Sequence, residues 1–488
     1  MSQINETAIK TPGVYINEIP SFPPSVAQVS TAIPVFIGYT EKAIDAAGAS
    51  LTKKPTKIFS LLEYIQYYGK AFNESDINIA ITKTTVSGVV TSLKASASIA
   101  SASAHNMYYS MRLYFDNGGG PCYILSMGAM GIAGTIVNTD LEEGLLIIEA
   151  YDEPTLLVFP EGFAISETNY YNLIGKAIDQ CAKLQDRFTI VDVYPMAAFT
   201  TTTAAISQFR TNFGKTTNLN YGAAYYPSVK TTFGYQYLDT DVDVVISTID
   251  IVNGVPSPPV VAPAVKLKAL LSPVLPALPD KATYFEAVSS IQKLVITLPP
   301  SPAVAGIYAA VDASRGVWKA PANVSLTSVY DIADVVTDQE QETMNIDADS
   351  GKSVNAIRAF AGKGILIWGA RTLDGNSNEW RYISVRRFFI MVEESVKKAT
   401  AQFVFEPNDA NTWTRLRAMI ENYLTLLWRE GALAGAKPEH AFFVKVGLGQ
   451  TMTAIDILEG RLIVEIGLAA VRPAEFIILR FMHKLQES

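Results

Sequence analysis

The sequence predicts an α/β protein of several domains, and three observations support this class. Strand-like and helix-like runs alternate between Leu145 and Val193, which is the rhythm of a parallel, doubly wound sheet. The last quarter of the chain, from about Trp368 to Met482, combines two amphipathic helical patterns with strand patterns. A chain of 488 residues is also too long for one ordinary core. We therefore expect roughly two to four domains.

Hydrophobic residues make up 49% of the chain and charged residues 18%, as in a globular protein with large buried surfaces. The most apolar stretches, 188–209 and 244–265, are interrupted by aspartate and proline, whereas a membrane span needs about 18 consecutive apolar residues. The polar start, Met1-Ser-Gln-Ile-Asn-Glu6, has no signal-peptide pattern. We therefore expect synthesis in the cytoplasm and no insertion into a membrane.

The net charge of −8 is unevenly distributed: residues 351–488 carry +4, which leaves −12 for residues 1–350. A basic end suggests an acidic partner, although the solvated faces of ordinary domains could produce the same difference. Nucleic acid is not expected as that partner, because the basic residues form no dense cluster and no known motif. The two cysteines, Cys122 and Cys181, are predicted to be buried free thiols.

Both ends of the chain are predicted to be extended strands without a partner in their own fold. Prolines prevent a helix in residues 1–22, which we interpret as an arm, and the closing segment after Pro473 also has a strand pattern. Unpartnered strands indicate assembly rather than catalysis. The residues expected to pair with other subunits are Gly13, Val14, Tyr15, Ile16 and Glu18 in the first arm, and Glu475, Phe476, Ile477, Ile478 and Leu479 in the last.

Local signals predict the elements that follow the first arm. Ile33–Gly38 is predicted to be a short buried strand, and Ser60 with Glu63 forms a capping box that opens a helix over Leu61–Tyr68. Residues 77–106 are rich in Thr, Ser, Ala and Val, and are predicted to be an inserted surface excursion or long loop.

Strands are predicted at Leu145–Ala150, Thr155–Phe159 and Phe188–Val193, with a helix around Ile174. Ten of the chain's 25 prolines lie between residues 256 and 302. A central strand or helix cannot accommodate that density, so this stretch is predicted to be a second excursion, edge-like and exposed.

Two helices are predicted in the final unit, with apolar faces over 385–396 and 413–427. Asn408 or Asp409 is expected to cap the second helix, and Gly431 to end it. Strands are expected at Leu462–Ile466 and Phe476–Phe481, with Val444–Val446 as a possible third.

An enzyme is not expected. Only His105, His440 and His483 are present, and none lies in the setting that a catalytic triad requires. Gly118–Gly120 could cradle a phosphate, but no Gly-Lys-Ser/Thr follows, which favours a tight turn into a strand. No catalytic residue, cofactor or metal site is therefore assigned. A soluble α/β protein with a degraded hydrolase centre and a closed-ring structural protein are the alternatives from other classes.

Several motifs occur in order along both ends and the middle of the chain. They are Pro12-Gly-Val-Tyr-Ile16, Pro23-Pro-Ser-Val-Ala-Gln28, Ile33-Pro-Val-Phe-Ile-Gly-Tyr-Thr-Glu41, Asn117-Gly-Gly-Gly120, Gly316-Val-Trp-Lys-Ala-Pro-Ala-Asn323, Asn355-Ala-Ile-Arg358, Trp368-Gly-Ala-Arg-Thr-Leu373, Trp380-Arg-Tyr382 and Phe405-Glu-Pro-Asn-Asp409. Together they resemble the contractile tail sheath proteins of myophage tails, R-type bacteriocins and phage-tail-like contractile injection systems. The chain departs from that pattern in the two excursions.

The resemblance implies a structural subunit made in the bacterial cytoplasm. In this family, subunits form six-fold rings stacked helically around an inner tube, and terminal arms add strands to sheets of neighbouring subunits. The implied partners are further copies of the chain, the inner tube protein, and baseplate and terminal cap proteins. The motifs Thr11-Pro-Gly-Val-Tyr15 and Tyr39-Thr-Glu-Lys42 favour an extracellular or cell-anchored injection system over the alternative, a myophage virion tail.

The resemblance also implies a domain layout with a subtilisin-like outer domain that lacks protease activity. In this layout Arg415 and Arg417 are candidates for contact with the tube, since they share a helix but avoid its apolar line. Pairing with Glu421 or with neighbouring subunits is the alternative. The expected parts are linker arms at 1–22 and 471–488, an inner tube-facing core from 23–76 and 350–470, a variable insertion at 77–106, and an outer domain at 107–349 that includes the excursion 240–302.

Overall fold

The computed structural model describes residues 26–131, 135–195, 201–271 and 280–480. These residues divide into two compact units, a larger one of residues 30–390 and 472–480 and a smaller one of residues 26–29 and 391–471. The chain thus leaves the larger unit after Ile390 and returns to it at Arg472. The boundaries of these units differ from those of the domains predicted from the sequence. The assignment of a tube-facing inner core and an outer domain stays a prediction.

The described residues form twenty strands, which lie between Pro34 and Leu468. In chain order they are β1 (Pro34–Thr40), β2 (Thr56–Ile58), β3 (Ile77–Val86), β4 (Val89–Ile99), β5 (Cys122–Ala129), β6 (Leu156–Val158), β7 (Phe188–Asp192), β8 (Gly222–Tyr226), β9 (Val229–Thr231), β10 (Asp243–Val252), β11 (Val255–Pro256), β12 (Val260–Val261), β13 (Val265–Lys266), β14 (Ile296–Leu298), β15 (Val324–Ser325), β16 (Val329–Ile332), β17 (Val354–Phe360), β18 (Gly364–Ile367), β19 (Phe442–Val446) and β20 (Val464–Leu468).

Helices alternate with these strands, and α9 runs from the larger unit into the smaller one. They are α1 (Leu61–Tyr68), α2 (Met107–Asp116), α3 (Asn138–Ile148), α4 (Glu167–Leu184), α5 (Thr202–Asn212), α6 (Lys281–Ile291), α7 (Ser301–Arg315), α8 (Asp338–Asn345), α9 (Ile383–Thr400), α10 (Ala410–Arg429), α11 (Pro438–Ala441) and α12 (Ala454–Leu458).

Nine strands of the larger unit form one mixed sheet in the order β15-β18-β17-β8-β7-β6-β1-β5-β2. The six strands from β17 to β5 are parallel, and the antiparallel strands lie at the two edges. Phe36 packs against Tyr114 of α2 with ring centroids 5.1 Å apart, whereas the adjacent Ile37 lies against Gly144 of α3. Because successive side chains of a strand point to opposite faces, helices cover both faces. The predicted parallel, doubly wound sheet is confirmed.

The strand predicted at Leu145–Ala150 is wrong, because residues up to Ile148 belong to α3. The run Leu-Leu-Ile-Ile does not by itself distinguish a strand from a helix, and the helical period becomes visible only when Leu141 is included. Leu146, in the middle of that run, is 68% exposed. The buried residues have helical spacing: Leu141, Gly144, Leu145 and Ile148.

Residues 77–106 are not a long loop, as the sequence suggested, but contain the antiparallel hairpin β3–β4. β3 also pairs in parallel with β10, with Ile79 opposite Val244, and β11, β12 and β13 complete a six-stranded sheet. Alternate isoleucines of β3 form a core with Leu267 and with Ile291 of α6. The two excursions predicted separately therefore fold together. The prolines between 256 and 263 are exposed, as predicted.

Several local predictions are confirmed. The helix Leu61–Tyr68 begins after Ser60, whose Oγ accepts the N–H of Glu63 at 3.2 Å. Gly118 has a φ of +87° in the turn before β5, which supports the tight-turn interpretation over a phosphate loop. Both cysteines are buried and free.

The smaller unit contains the part of α9 from Met391, the helix α10 and the two-stranded sheet β19–β20. α10 begins after Asp409, whose carboxylate accepts the N–H of Thr412 at 2.9 Å. Gly431, with a φ of +84°, follows its end. The predicted helix and its cap are confirmed. Its buried residues are Thr412, Leu416, Met419, Ile420, Tyr423, Leu424 and Leu427.

Candidate assembly surfaces

The two strands of the smaller unit form a sheet with open edges. β19 and β20 are antiparallel, from Phe442 opposite Leu468 to Val446 opposite Val464. Among the described residues, no further strand joins this sheet. Residues 432–434 pair with residues 469–471, which follow β20, through a bridge between Leu433 and Ala470. The outer edges of both strands therefore present backbone N–H and C=O groups to which another strand can bond.

Packing against α10 holds this small sheet. Val444 and Val446 are buried, and β19 contacts α10. Phe443 points to the other face, where it is 49% exposed and its ring lies over Gly467 of β20. Because an isolated two-stranded sheet is marginally stable in water, α10 supplies the packing that lets the sheet persist with its edges open.

The C-terminal segment, residues 472–480, forms no strand. The strand predicted over Phe476–Phe481 is therefore absent from the described part of that range. Four consecutive apolar side chains are largely exposed, and such a run marks an interaction site. A run without polar alternation is typical of a strand that is covered on both faces. The exposed residues are Phe476 at 67%, Ile477 at 77%, Ile478 at 78% and Leu479 at 71%.

Glu475 is placed differently from the four residues that follow it. Its carboxylate accepts hydrogen bonds from Arg371, Asn345 and Tyr382 of the same chain. Burial raises the pKa of Glu475, but the hydrogen bonds from Arg371 and Asn345 outweigh burial, and the pKa lies below its usual value. Glu475 is predicted from the sequence to pair with another subunit, but its side chain is bound to its own subunit.

The two candidate tube contacts on α10 have different surroundings. Arg415 forms an exposed ion pair with Glu406 at 3.3 Å. Arg417 donates from Nη2 to the carbonyl oxygen of Val446 at 2.9 Å and to Gln450 Oε1 at 3.3 Å. Since Val446 ends β19, Arg417 supports the sheet from within its own unit. These partners differ from Glu421, the partner considered from the sequence.

Substitutions at these arginines are expected to have separable effects. Arg415→Glu breaks an exposed pair, so the free energy of unfolding should change by less than about 1 kcal/mol. Arg417→Met removes the donor to Val446 and should cost about 1 kcal/mol or more. A tube contact through Arg415 predicts that R415E reduces the amount of this protein that sediments with preformed tubes. Arg429→Glu on the same helix is the matched control, and equal binding by both variants would contradict the contact.

The predicted residues of the first arm, Gly13, Val14, Tyr15, Ile16 and Glu18, lie outside the described residues. Their pairing with other subunits stays a prediction.

Sequence reasoning missed two buried acids at the carboxyl ends of parallel strands. Asp192, which ends β7, accepts hydrogen bonds from the N–H and Oγ–H of Ser301, at 2.8 and 2.5 Å. Glu161, which follows β6, accepts the N–H of Tyr39 at 2.7 Å and lies 3.4 Å from Nδ1 of His105. Burial raises the pKa of both carboxyl groups, that of Asp192 to about 7. Both are enclosed in the core, where they join strands to helices. Their partners lie far away in sequence, so no local pattern reveals them.

Within the part of the chain that the structure describes, no group of three or more His, Cys, Asp or Glu side chains is arranged to hold a metal ion. The helices among those residues include none that is both long and apolar enough to cross a membrane.

Comparison with known families gives two matches. The phage tail sheath protein central domain matches residues 134–373, and the phage tail sheath C-terminal domain matches residues 376–483. The tail sheath protein of Vibrio phage KVP40 is 26% identical over 122 residues, and that of Burkholderia phage BcepMu is 28% identical over 144 residues. These alignments cover 25% and 28% of this chain, and 18% and 30% of the phage proteins.

Similarity to solved structures extends over nearly the whole chain. A chain of the PVC sheath complex, from an extracellular contractile injection system in the contracted state, is 32% identical, with a TM-score of 0.62 and coverage of 98% of this chain and 99% of that one. The helical sheath of the anti-feeding prophage (AFP) in the contracted state is 30% identical, with a TM-score of 0.63 and coverage of 98% and 100%. A chain of the six-fold symmetrised AFP baseplate is also 30% identical, with a TM-score of 0.61 and the same coverage.

Proposed function

Because this chain belongs to the phage tail sheath protein family, we propose that it polymerises into a contractile sheath around an inner tube and drives that tube through a target envelope. It is a structural protein and not an enzyme. One observation carries the proposal: in the part of the chain that the structure describes, a two-stranded sheet has open edges and an exposed apolar segment has no strand partner. Whole-length similarity to the PVC and AFP sheaths favours an injection system. The phage relatives make a myophage tail sheath the second candidate.

The mechanism of assembly is strand addition between copies. The apolar segment after Glu475 in one subunit pairs with an open edge of β19–β20 in another, and the arm at 1–22 pairs likewise. Each backbone hydrogen bond contributes only about 0.5–1.5 kcal/mol net. Several bonds per arm, repeated at every subunit, nevertheless make a continuous mesh. Because the contact is head-to-tail and does not close, it generates a helix of stacked rings.

Contraction is a change between two packings of nearly rigid subunits, with the strand contacts kept. Six-fold rings and contact with a baseplate are supported by the similarity to a chain of the six-fold symmetrised AFP baseplate. An inner tube protein and a terminal cap complete the proposed partners. The insertion formed by 77–106 and 240–302 is proposed to lie on the outside of the particle.

Electron microscopy of the purified full-length protein tests this function directly. A sheath subunit is expected to form long helical cylinders, a closed-ring protein to form discrete rings, and a hydrolase-like protein to stay unassembled. Rings or monomers under all conditions that polymerise a related sheath would contradict the proposal.

Deleting residues 1–20 is expected to give a soluble, folded subunit that does not form cylinders. The deletion ends before Val29, whose N–H donates to Ser395 Oγ at 3.1 Å within the smaller unit. Circular dichroism checks the fold and sedimentation checks polymerisation. Normal cylinders from the deleted protein would refute the role of the first arm.

A further inference from the structure

We infer that the Glu475 side chain anchors the C-terminal segment to its own subunit, so that the part of the arm that is free to pair with another copy begins at Phe476. The anchoring contact stands on the geometry of a single chain. Its consequence for assembly rests on the proposed function.

The anchor is a carboxylate with both oxygens bound. Arg371 donates from Nε to Glu475 Oε1 at 2.9 Å and from Nη2 to Oε2 at 2.6 Å. Asn345 Nδ2 donates to Oε1 at 2.7 Å, and the Tyr382 hydroxyl donates to Oε2 at 3.2 Å. Paired charge-assisted hydrogen bonds of this fork geometry are shorter and stronger than neutral ones, and they fix orientation as well as distance. Four donors from three side chains therefore converge on one carboxylate.

The receiving arginine is itself held in place. Arg371 is 3% exposed, and its backbone N–H and carbonyl oxygen both bond to the side-chain amide of Asn355 at 2.8 Å. Its Nη1 donates to the carbonyl oxygens of Asn345 and Gly375, each at 3.3 Å. A side chain restrained in this way loses little further freedom when Glu475 binds. Arg371, in the motif Trp368–Leu373, therefore forms a preorganised binding site for the Glu475 carboxylate. No role for this arginine is predicted from the sequence.

The anchor marks a sharp boundary along the chain. The Glu475 side chain is 20% exposed, whereas each of the next four residues is at least 67% exposed. Among the described residues, the segment 472–480 itself forms no backbone–backbone hydrogen bond, and Glu475 provides its side-chain hydrogen bonds to the larger unit. Because the start of the arm is already fixed, the arm loses less conformational entropy when it adds to a sheet as a strand. The anchor also transmits a force applied to the arm to the subunit of which the arm is a part.

The anchor is expected to open in acid. Because the pKa of Glu475 lies below its usual value in the folded protein, its stabilising contribution is present above the ordinary glutamate pKa. That contribution is lost as the pH falls through the lowered value.

A spin label next to the anchor tests the contact in the unassembled full-length subunit. Ala474→Cys places the label on an exposed residue, and the native Cys122 and Cys181 are buried, so labelling is selective. Glu475→Gln should raise the mobile population of the label by about tenfold or more, a factor that corresponds to about 1.4 kcal/mol. The exposed Glu379→Gln, in the same unit, is the matched control and should leave the label immobile. Acidification should free the label in the parent protein and have no further effect in E475Q.

An equally immobile label in E475Q and E379Q would overturn the anchor, whatever happens in assembly. Polymerisation is measured separately, without the label. E475Q is expected to need about tenfold more protein than E379Q to form cylinders. If both variants form cylinders at the same protein concentration although the label is free in E475Q, Glu475 does not position the arm for assembly. Because mobility is measured before assembly, failure of the anchor is distinguishable from failure of the proposed function.

Discussion

Removing residues 477–488 is expected to abolish cylinder formation and to leave the subunit folded. The deletion takes away Ile477, Ile478 and Leu479, which are more than 70% exposed and add little to the stability of the single chain. Full burial of such a side chain in a partner is worth about 1.5–3 kcal/mol, and each tenfold change in affinity corresponds to only about 1.4 kcal/mol. Loss of the segment should therefore prevent polymerisation at any accessible concentration. Sedimentation and electron microscopy measure this loss.

The deletion keeps Phe476, so that the new terminal carboxylate lies one residue beyond Glu475 and its bonds to Arg371. Thermal unfolding is the control, and its midpoint should move by less than roughly 2 °C, because a change of 1 kcal/mol moves the midpoint of a domain of 150–250 residues by about 2–4 °C. Cylinders with normal length from the folded, truncated protein would show that the segment is not the joining strand.

Ile477→Asp and Ile478→Asp are each expected to prevent polymerisation. The two side chains point to opposite faces if the segment becomes a strand in a neighbouring subunit. Because the run from Phe476 to Leu479 has no polar residue, we expect both faces to be covered, and a buried unpaired carboxylate is costly on either one. Each variant should raise the protein concentration needed for assembly at least about a hundredfold, which corresponds to about 2.8 kcal/mol.

Leu146→Asp is the matched control for these two variants, since Leu146 is a comparably exposed apolar residue on α3 of the larger unit. It should assemble as the parent protein does. A severe effect of only one of the two isoleucine variants would mean that the added strand is covered on one face and solvated on the other. No effect of either would contradict strand addition by this segment.

The elements with local signals could be predicted from the sequence. Ser60 and Asp409 cap their helices through residues three positions further on, and the apolar spacing of α10 is contained in the helix itself. The apolar run from Phe476 to Leu479 was also visible in the sequence, and the structure leaves its side chains exposed, while its role as an arm stays a prediction. The strand at Leu145–Ala150 failed because four residues are too few to distinguish the period of a strand from that of a helix.

The pairings between distant residues could not be predicted. β3 and β10 lie side by side with Ile79 opposite Val244, although their separate patterns indicated only two surface excursions. The core acids Asp192 and Glu161 likewise find Ser301 and His105 across long separations. A periodic pattern shows which face of an element is apolar, but it contains no information about which other element will cover that face.

The sequence by itself determined the α/β class, the capped helix α10 and the apolar run from Phe476 to Leu479, because each depends on the chemistry of neighbouring residues. Only the tertiary structure decided that the two excursions form one sheet and that Glu475 bonds to its own subunit, while the described residues after it, 476–480, form no strand within it. The physical reason is that burial and hydrogen bonding depend on which groups meet in space. Arg371 and Glu475 meet because the chain builds a second unit between them and then returns to the first.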